Sequence, residues 1–431
     1  MLPLFSCGDI IRVAVNIHLL MTGCKNNRYE LNRLWEWANE HGFTIDENRP
    51  SDFSILNTCA VTQSAERKTR QMVQAVKKTQ PKAKIIVFGC MARLNATTLK
   101  KMKAFVLPDL DSVIRLLERF EIGDSRLEKN STLNSNLQSE IGVLPRARAL
   151  VQVQDGCDNF CSYCSIVLAR GRSNSRPMEN VVADVKRYEN EGFTEVMLTG
   201  INIAAYGCST TQKPNESRFA DLLQAILEDT RIPRIRLGSL GPQYFSEPFF
   251  QILKNPRICN HFHLSLQSGS NSVLKRMNRG YKTAEAESII QRLKTDIPSV
   301  AITADMIVGF PEETEDEFQE TLDFAKRNPM AKIHVFPYSS RPGTTASRLK
   351  PINPTDIRSR AKILRDLSAR QRMAFLQSQI GQKFSVIWRK EARPGWTEGV
   401  TDNGIRLLKK ATMPRRSMTE EMLTKENVVI D

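Results

Sequence analysis

Short apolar runs alternate with longer stretches of helical periodicity along most of this chain, the spacing of apolar positions switching between strand-like and helix-like at regular intervals. In the first quarter, runs at 13–20, 53–56 and 84–88 predict strands, each followed by a helical pattern. Strands separated by helices lie parallel in one sheet, so an α/β domain is expected over 12–123. Residues 124–147 carry many Ser, Asn and Gln with little periodicity and read as an interdomain linker. Alternation then resumes, with strands expected at 150–154, 195–199, 234–239, 261–267, 301–308 and 332–336 and helices such as 177–191 and 315–327 between them. Six βα units suit an open, partial (β/α)6 barrel over 148–380, closed by a basic helix near 355–379. Beyond Gly381, short β-like runs broken by Gly and Asn predict a small β-barrel over 381–431.

With 431 residues, the chain is too long for one core and long enough for two or three. No segment reads as a membrane span. The apolar run at 10–21 is interrupted by Arg12, Asn16 and His18 and reads as a buried strand, not an export signal, so a cytoplasmic protein is expected. In a reducing compartment the nine cysteines are candidates for metal ligation or catalysis before disulfides. Sixty-two Lys and Arg against 47 Asp and Glu give a net charge of +15, a balance that suits a polyanionic partner. Residues 341–380 hold nine of those cations against Asp356 and Asp366; a solvated helix face and a nucleic-acid contact both remain open for them.

The sharpest chemical signal is GCDNFCSYCS, with Cys157, Cys161 and Cys164 in one short loop after the first barrel strand. Three closely spaced thiolates suit an iron-sulfur cube held by soft sulfur ligands. A 4Fe-4S cube with three cysteine ligands keeps one iron open to the amino and carboxylate groups of S-adenosylmethionine, which the cube then reduces to generate a radical. Structural zinc is the alternative, but a closed zinc site takes four ligands and neither His nor a fourth Cys lies near. Cys24, Cys59 and Cys90 each fall just past a predicted strand of the first domain, where loops of a parallel sheet converge. They are read as ligands of a second cluster, against the alternative of three ordinary buried cysteines. Cys7, Cys208 and Cys259 lack such partners and read as structural. Most barrel strands end in small or amide residues, among them Gln154, Gly200, Gln267, Ser268 and Gly309, which suits close ligand approach as well as ordinary turns.

Taken together, from about residue 13 to the end, the chain resembles the methylthiotransferase family of radical S-adenosylmethionine enzymes: a front domain with three spaced cysteines, a radical domain with the C-x3-C-x2-C triplet, and a carboxyl-terminal TRAM barrel. The words NTCAVTQSAERKTRQ, LTGINIAAYG, HLSLQSGSNSVLKRMNR and HVFPYSSRPGTTASR resemble the branch acting on threonylcarbamoyladenosine in tRNA. Asn26, Arg93, Val167 and Gly238 depart from the family pattern without removing a ligand, and the first eleven residues match nothing in it.

The resemblance implies two 4Fe-4S clusters, one on Cys157, Cys161 and Cys164 and one on Cys24, Cys59 and Cys90, with S-adenosylmethionine as cofactor and methylthiolation at C2 of an adenosine beside the anticodon. An isopentenyladenosine substrate, or an oxidoreductase using the front cluster as relay, are the alternatives. It places Tyr163 against the adenine of the cofactor, Gly200 and Asn202 at its amino acid end, Gln267 and Ser268 near its ribose, and Ile307, Gly309 and Phe336 around the adenine pocket. Arg170 and Arg176 are candidates for carboxylate or phosphate, with loop salt bridges as the alternative. Trp388 reads as core and Trp396 is open, while Arg389, Lys390, Lys409, Lys410, Arg415 and Arg416 are candidates for phosphate contact. The implied partners are the anticodon stem-loop of tRNA and a flavodoxin or ferredoxin, with no membrane and a monomeric enzyme.

Overall fold

The computed structural model describes residues 15–119, 147–208 and 217–430. The expected linker, apart from residue 147, lies outside these, as do Cys7 and the first eleven residues. The chain divides into two compact units, residues 1–144 and 145–431.

In the first unit, β1 (Ile17–Met21), β2 (Phe53–Thr58), β3 (Lys84–Gly89) and β4 (Phe105–Val106) form one parallel sheet in that order. All six residues of β2 are buried, as a central parallel strand covered on both faces must be. Its core gathers Ile17, Leu19, Leu34, Ile55, Phe88 and Val113. Every intervening connection is helical, and β4 is too short to have been legible from periodicity.

The second unit opens with β5 (Ala149–Gln152) and a small antiparallel pair, β6 (Gln154–Asp155) with β7 (Asn174–Ser175). Parallel strands follow: β8 (Glu195–Thr199), β9 (Arg234–Arg236), β10 (Ser239–Leu240), β11 (His261–Gln267), β12 (Ala301–Val308) and β13 (Lys332–Pro337). The expected strand at 234–239 is broken in two. β9 pairs with β8 and β10 with β11, so the partial barrel consists of a three-stranded and a four-stranded sheet. The break falls at Gly238, where an added Cβ would lie 3.0 Å from the carbonyl oxygen of Leu198; the missing side chain lets the chain cross close to β8 and change partners.

β14 (Lys383–Arg393), β15 (Trp396–Thr401), β16 (Arg406–Lys409) and β17 (Met418–Met422) form an antiparallel sheet, order β16-β15-β14-β17, consistent with the small barrel expected. Trp388 is fully buried in its core and donates to Thr419 Oγ1 at 2.9 Å. The half-buried Trp396 carries the Arg393 guanidinium over its ring at 4.3 Å. This sheet is docked on the amino-terminal ends of the barrel strands. Arg234 donates to the carbonyls of Ser385 and Val400, Arg236 to that of Thr401, and Asn403 to that of Ser299. Glu195, with no exposed surface, sits at the centre against Arg234 (2.7 Å), Arg236 (2.8 Å) and Arg148 (3.3 Å), and these guanidinium charges hold its carboxyl far below the usual range although burial alone would raise it. Docking at this end leaves the carboxyl ends of the barrel strands for chemistry.

Candidate active site

Cys157, Cys161 and Cys164 lie in the loop between β6 and the short helix Ile166–Arg170, all three half-buried. Each sulfur accepts an N–H: Cys157 from the backbone of Asn159 (3.5 Å), Cys164 from the backbone of Ile166 (3.5 Å) and Cys161 from Arg279 Nη1 (3.2 Å). Burial pushes the Cys157 thiol up and that of Cys164 up to about 12, and Cys161 adds to both shifts. As thiolates the three sulfurs would repel one another in this half-buried loop unless they shared a positive centre. Among the described residues no three His, Cys, Asp or Glu side chains are gathered around one metal ion. A cube makes no such demand, because its ligands bind separate irons, and soft sulfurs with N–H donors are what tune such clusters. The donor set therefore fits a cluster.

The loop is clamped from one side by four consecutive residues, 276–279, at the end of the helix Asn271–Arg276. Ser162 Oγ donates to the carbonyl of Arg276 (2.7 Å), Ser162 N to that of Met277 (3.0 Å), Asn278 Nδ2 to that of Phe160 (3.1 Å), and Arg279 completes the set. Arg276 is anchored in turn by a bidentate pair with Glu317 (2.7 and 2.6 Å). On the other side Tyr244 donates its hydroxyl to Asn159 Oδ1 at 2.7 Å. Phe160 takes left-handed backbone, φ 41°, which costs about 1–3 kcal/mol and holds only where the surroundings enforce it.

The other residues singled out in the sequence fall into groups. Tyr163 packs with Ile307 in an apolar cluster that includes Val273, Met277 and Phe310. Gly200 and Asn202 meet at Gln154: a Cβ on Gly200 would lie 2.8 Å from the Gln154 carbonyl, and Asn202 N donates to Gln154 Oε1 at 2.9 Å. Gln267 ends β11 in left-handed backbone, φ 70°, another strained position at a strand end. The Ser268 hydroxyl is committed inside the chain, to Thr321 Oγ1 and the backbone N–H of Ser270. Gly309 is required by its own geometry: φ is 72°, an added Cβ would sit 2.5 Å from Ile357, and its N–H donates to the buried Glu313. Phe336 is 41% exposed. Arg170 donates from Nη1 to both carboxylate oxygens of Asp155, and Arg176 pairs with Asp184 of the helix Met178–Asn190, so each is engaged in a salt bridge within the chain. Arg389, Lys409 and Arg416 are likewise engaged within the chain, with Glu398, Glu421 and the carbonyl of Glu191.

In the first unit, Cys24 precedes the helix Lys25–Glu40, Cys59 follows β2 directly and Cys90 follows β3 directly. The parallel register sets Thr58 beside Gly89, which brings Cys59 and Cys90 to one edge. Gly23 completes the set, since a Cβ there would lie 2.7 Å from that of Cys59. Beneath them the buried amides of Asn27 and Asn57 bond at 2.6 Å, Asn27 also accepts from the Cys24 thiol (3.1 Å), and Asn57 donates to Glu30 (2.7 Å). Sequence reading missed Asn27, Asn57, Tyr244 and Arg279 as site residues. Asn57 opens the NTC word and Arg279 ends LKRMNR, but their roles arise from contacts across the fold.

Residues 151–325 match the Radical SAM superfamily and residues 16–108 match the uncharacterized protein family UPF0004. Among curated proteins, the chain is 33% identical over 386 residues to the threonylcarbamoyladenosine tRNA methylthiotransferase MtaB of Aquifex aeolicus, covering 86% of this chain and 92% of that protein. It is 34% identical to the protein of the same name in Bacillus subtilis, over 76% and 74% of the two chains. The tRNA-2-methylthio-N(6)-dimethylallyladenosine synthase of Carboxydothermus hydrogenoformans is 32% identical over 80% of each. Among solved structures, the radical S-adenosylmethionine methyltransferase TsrM of Kitasatospora setae shares the fold, with a TM-score of 0.56 at 12% identity over 78% of this chain and 77% of that one. The chain belongs to the methylthiotransferase family of radical S-adenosylmethionine enzymes. Enzymes of this class use S-adenosylmethionine and 4Fe-4S clusters, in keeping with the donor chemistry above.

Proposed function

We propose that this chain replaces the C2 hydrogen of N6-threonylcarbamoyladenosine, beside the anticodon of tRNA, with a methylthio group. The observation that carries it is a chain about one third identical to enzymes named for this nucleoside, with a cysteine triplet in one loop after β6 and three further cysteines just past β1, β2 and β3. The words after Cys59 and in the barrel favour threonylcarbamoyladenosine over the isopentenyl nucleoside.

Cys157, Cys161 and Cys164 hold the radical cluster, and Cys24, Cys59 and Cys90 the second cluster, from which the methylthio sulfur comes. When bound, the first cluster and S-adenosylmethionine together supply a carbon radical able to take a hydrogen atom from an unactivated C–H bond. The C2–H bond is far too weakly acidic for a side-chain base, so no His, Glu or Lys is assigned to it. Tyr163 and Ile307 give the adenine of the cofactor an apolar face and keep water from it; Phe336 extends that face. Gln154 holds the Gly200 to Asn202 turn so that its backbone meets the amino acid end of the cofactor. Gln267 presents its amide to the ribose, its strained backbone being the cost of that orientation. For Ser268 and Gly309, support is strongest for shaping the strand ends behind this pocket.

The carboxyl-terminal sheet and the basic helix Pro354–Gln379 supply cations to the tRNA backbone. Among the described residues no helix is long and apolar enough to cross a membrane. The enzyme acts as a cytoplasmic monomer reduced by a flavodoxin or ferredoxin.

The test is anaerobic reconstitution of the full chain and of its Cys161→Ala and Cys59→Ala variants, with anticodon stem-loops carrying either nucleoside. The expected result is methylthiolation of the threonylcarbamoyl stem-loop, release of deoxyadenosine without product from Cys59→Ala, and neither from Cys161→Ala. Product from Cys59→Ala, or preference for the isopentenyl stem-loop, would overturn the assignment.

A further inference from the structure

Of the three sulfurs in the triplet, two are bonded by backbone N–H groups, which no substitution of the donor's side chain removes; the third, Cys161, is bonded by a side chain. That side chain belongs to Arg279, 118 residues away in sequence. Its second amino group donates to the carbonyl of Ser265 at 2.8 Å, so the fork is held between the end region of β11 and the cluster loop. The guanidinium also lies 5.3 Å from the Tyr281 ring, and the Tyr281 hydroxyl bonds the carbonyl of Leu266 in the same strand. Arg279 Nε is buried with no hydrogen-bond partner, a loss the protein accepts to keep a cation in this place.

Two arginines of the clamp differ in their charge balance. Arg276 is neutralised by a bidentate carboxylate. Arg279 instead bonds the Cys161 sulfur and the Ser265 carbonyl, and among the described residues no carboxylate pairs with it, so its positive charge is left to the sulfur. Resting on the reading of the triplet as the radical cluster, we propose that Arg279 is a positioning residue that fixes Cys161 and favours the one-electron-reduced state of the cube.

The physical basis is a charge balance. Reduction brings one electron from an external low-potential donor, breaks no bond, and adds one negative charge to an assembly whose thiolates already make it anionic. A fixed guanidinium at hydrogen-bond distance from one of those sulfurs stabilises the more negative state. Arginine suits the task because it stays charged and its planar fork spans two acceptors, whereas lysine keeps the charge and loses the second bond.

The experiment is a redox titration of the reconstituted full chain with dithionite, followed by electron paramagnetic resonance and using the signal that shifts when S-adenosylmethionine is added. Wild type, Arg279→Gln and Arg279→Lys are compared at equal iron content. Arg279→Gln is expected to lower the reduced-to-oxidised ratio at fixed potential about tenfold, equivalent to about 59 mV for one electron, and Arg279→Lys to lower it less than about threefold. An unchanged ratio in Arg279→Gln, or a Lys variant that falls as far as Gln, overturns the proposal. Should Arg279→Gln fail to hold iron, the Lys variant decides: a ratio within about threefold of wild type supports a charge effect, and a tenfold fall overturns it. A wild-type chain with no signal responsive to S-adenosylmethionine would instead refute the reading of the triplet.

Discussion

Glu317 links the folding of a helix to the posture of the cluster loop. It closes the capping box of the helix Glu315–Arg327 with Thr314, accepts from Ser272, and takes both arms of Arg276, whose carbonyl binds Ser162 between two of the cysteines. The hydrogen bonds from Arg276 hold the Glu317 carboxyl at about 2, below its ordinary value of 4.5. A depressed carboxylate adds stability that is complete above the ordinary value and is lost as pH falls from there through the folded value. We expect the thermal stability of the wild-type chain to fall between about pH 4.5 and pH 2 more steeply than that of Glu317→Gln. Parallel melting curves for the two proteins across that interval would show that the pair contributes nothing. Because the group is partly solvated, the effect on stability is modest, and its value lies in fixing residues 276–279.

At the scale of elements, two barrel strands end in left-handed backbone, β11 at Gln267 and β12 at the following Gly309. Gly309 follows β12 at φ 72°, with Ile357 of the helix Pro354–Gln379 in the space a Cβ would fill. Gly309→Ala is expected to cost about 1–3 kcal/mol, from the left-handed backbone and the displaced helix together, read as a lower urea midpoint with unchanged slope. An alanine variant as stable as wild type would mean that the helix moves freely. The strands themselves were largely legible: strands lie at all six expected barrel positions, those at 150–154 and 234–239 each split in two, and a strand such as β8, buried throughout, leaves a nearly continuous apolar run. The partner change at Gly238 and the β6–β7 ladder were not, since both depend on which strands approach each other. Cys24, Cys59 and Cys90 could be paired with strand ends from sequence because β1, β2 and β3 are adjacent in order. Arg279 and Tyr244 could not be paired with the loop, because they reach it from elements 118 and 85 residues distant. Charge pointed to a polyanionic partner without assigning contacts to single residues. Arg416, a candidate for phosphate contact, lies over Phe193 at 3.6 Å and donates to the carbonyl of Glu191.

Over the whole chain the net charge is +15, and within the second unit the carboxyl-terminal sheet is fastened to the barrel by buried arginines, a charge balance suited to a structured RNA. Binding of tRNA should be governed by counterion release. We expect affinity for unmodified tRNA to fall at least about a hundredfold between 50 and 200 mM salt; a fall under about threefold would remove the backbone from the account. The central claim concerns the nucleoside made, and its most direct measurement is mass spectrometry of nucleosides from tRNA of cells with and without this gene. Loss of 2-methylthio-N6-threonylcarbamoyladenosine, with other methylthio nucleosides intact and its unthiolated precursor accumulating, is the predicted result. Persistence of that nucleoside, or loss of the isopentenyl form in its place, would contradict it.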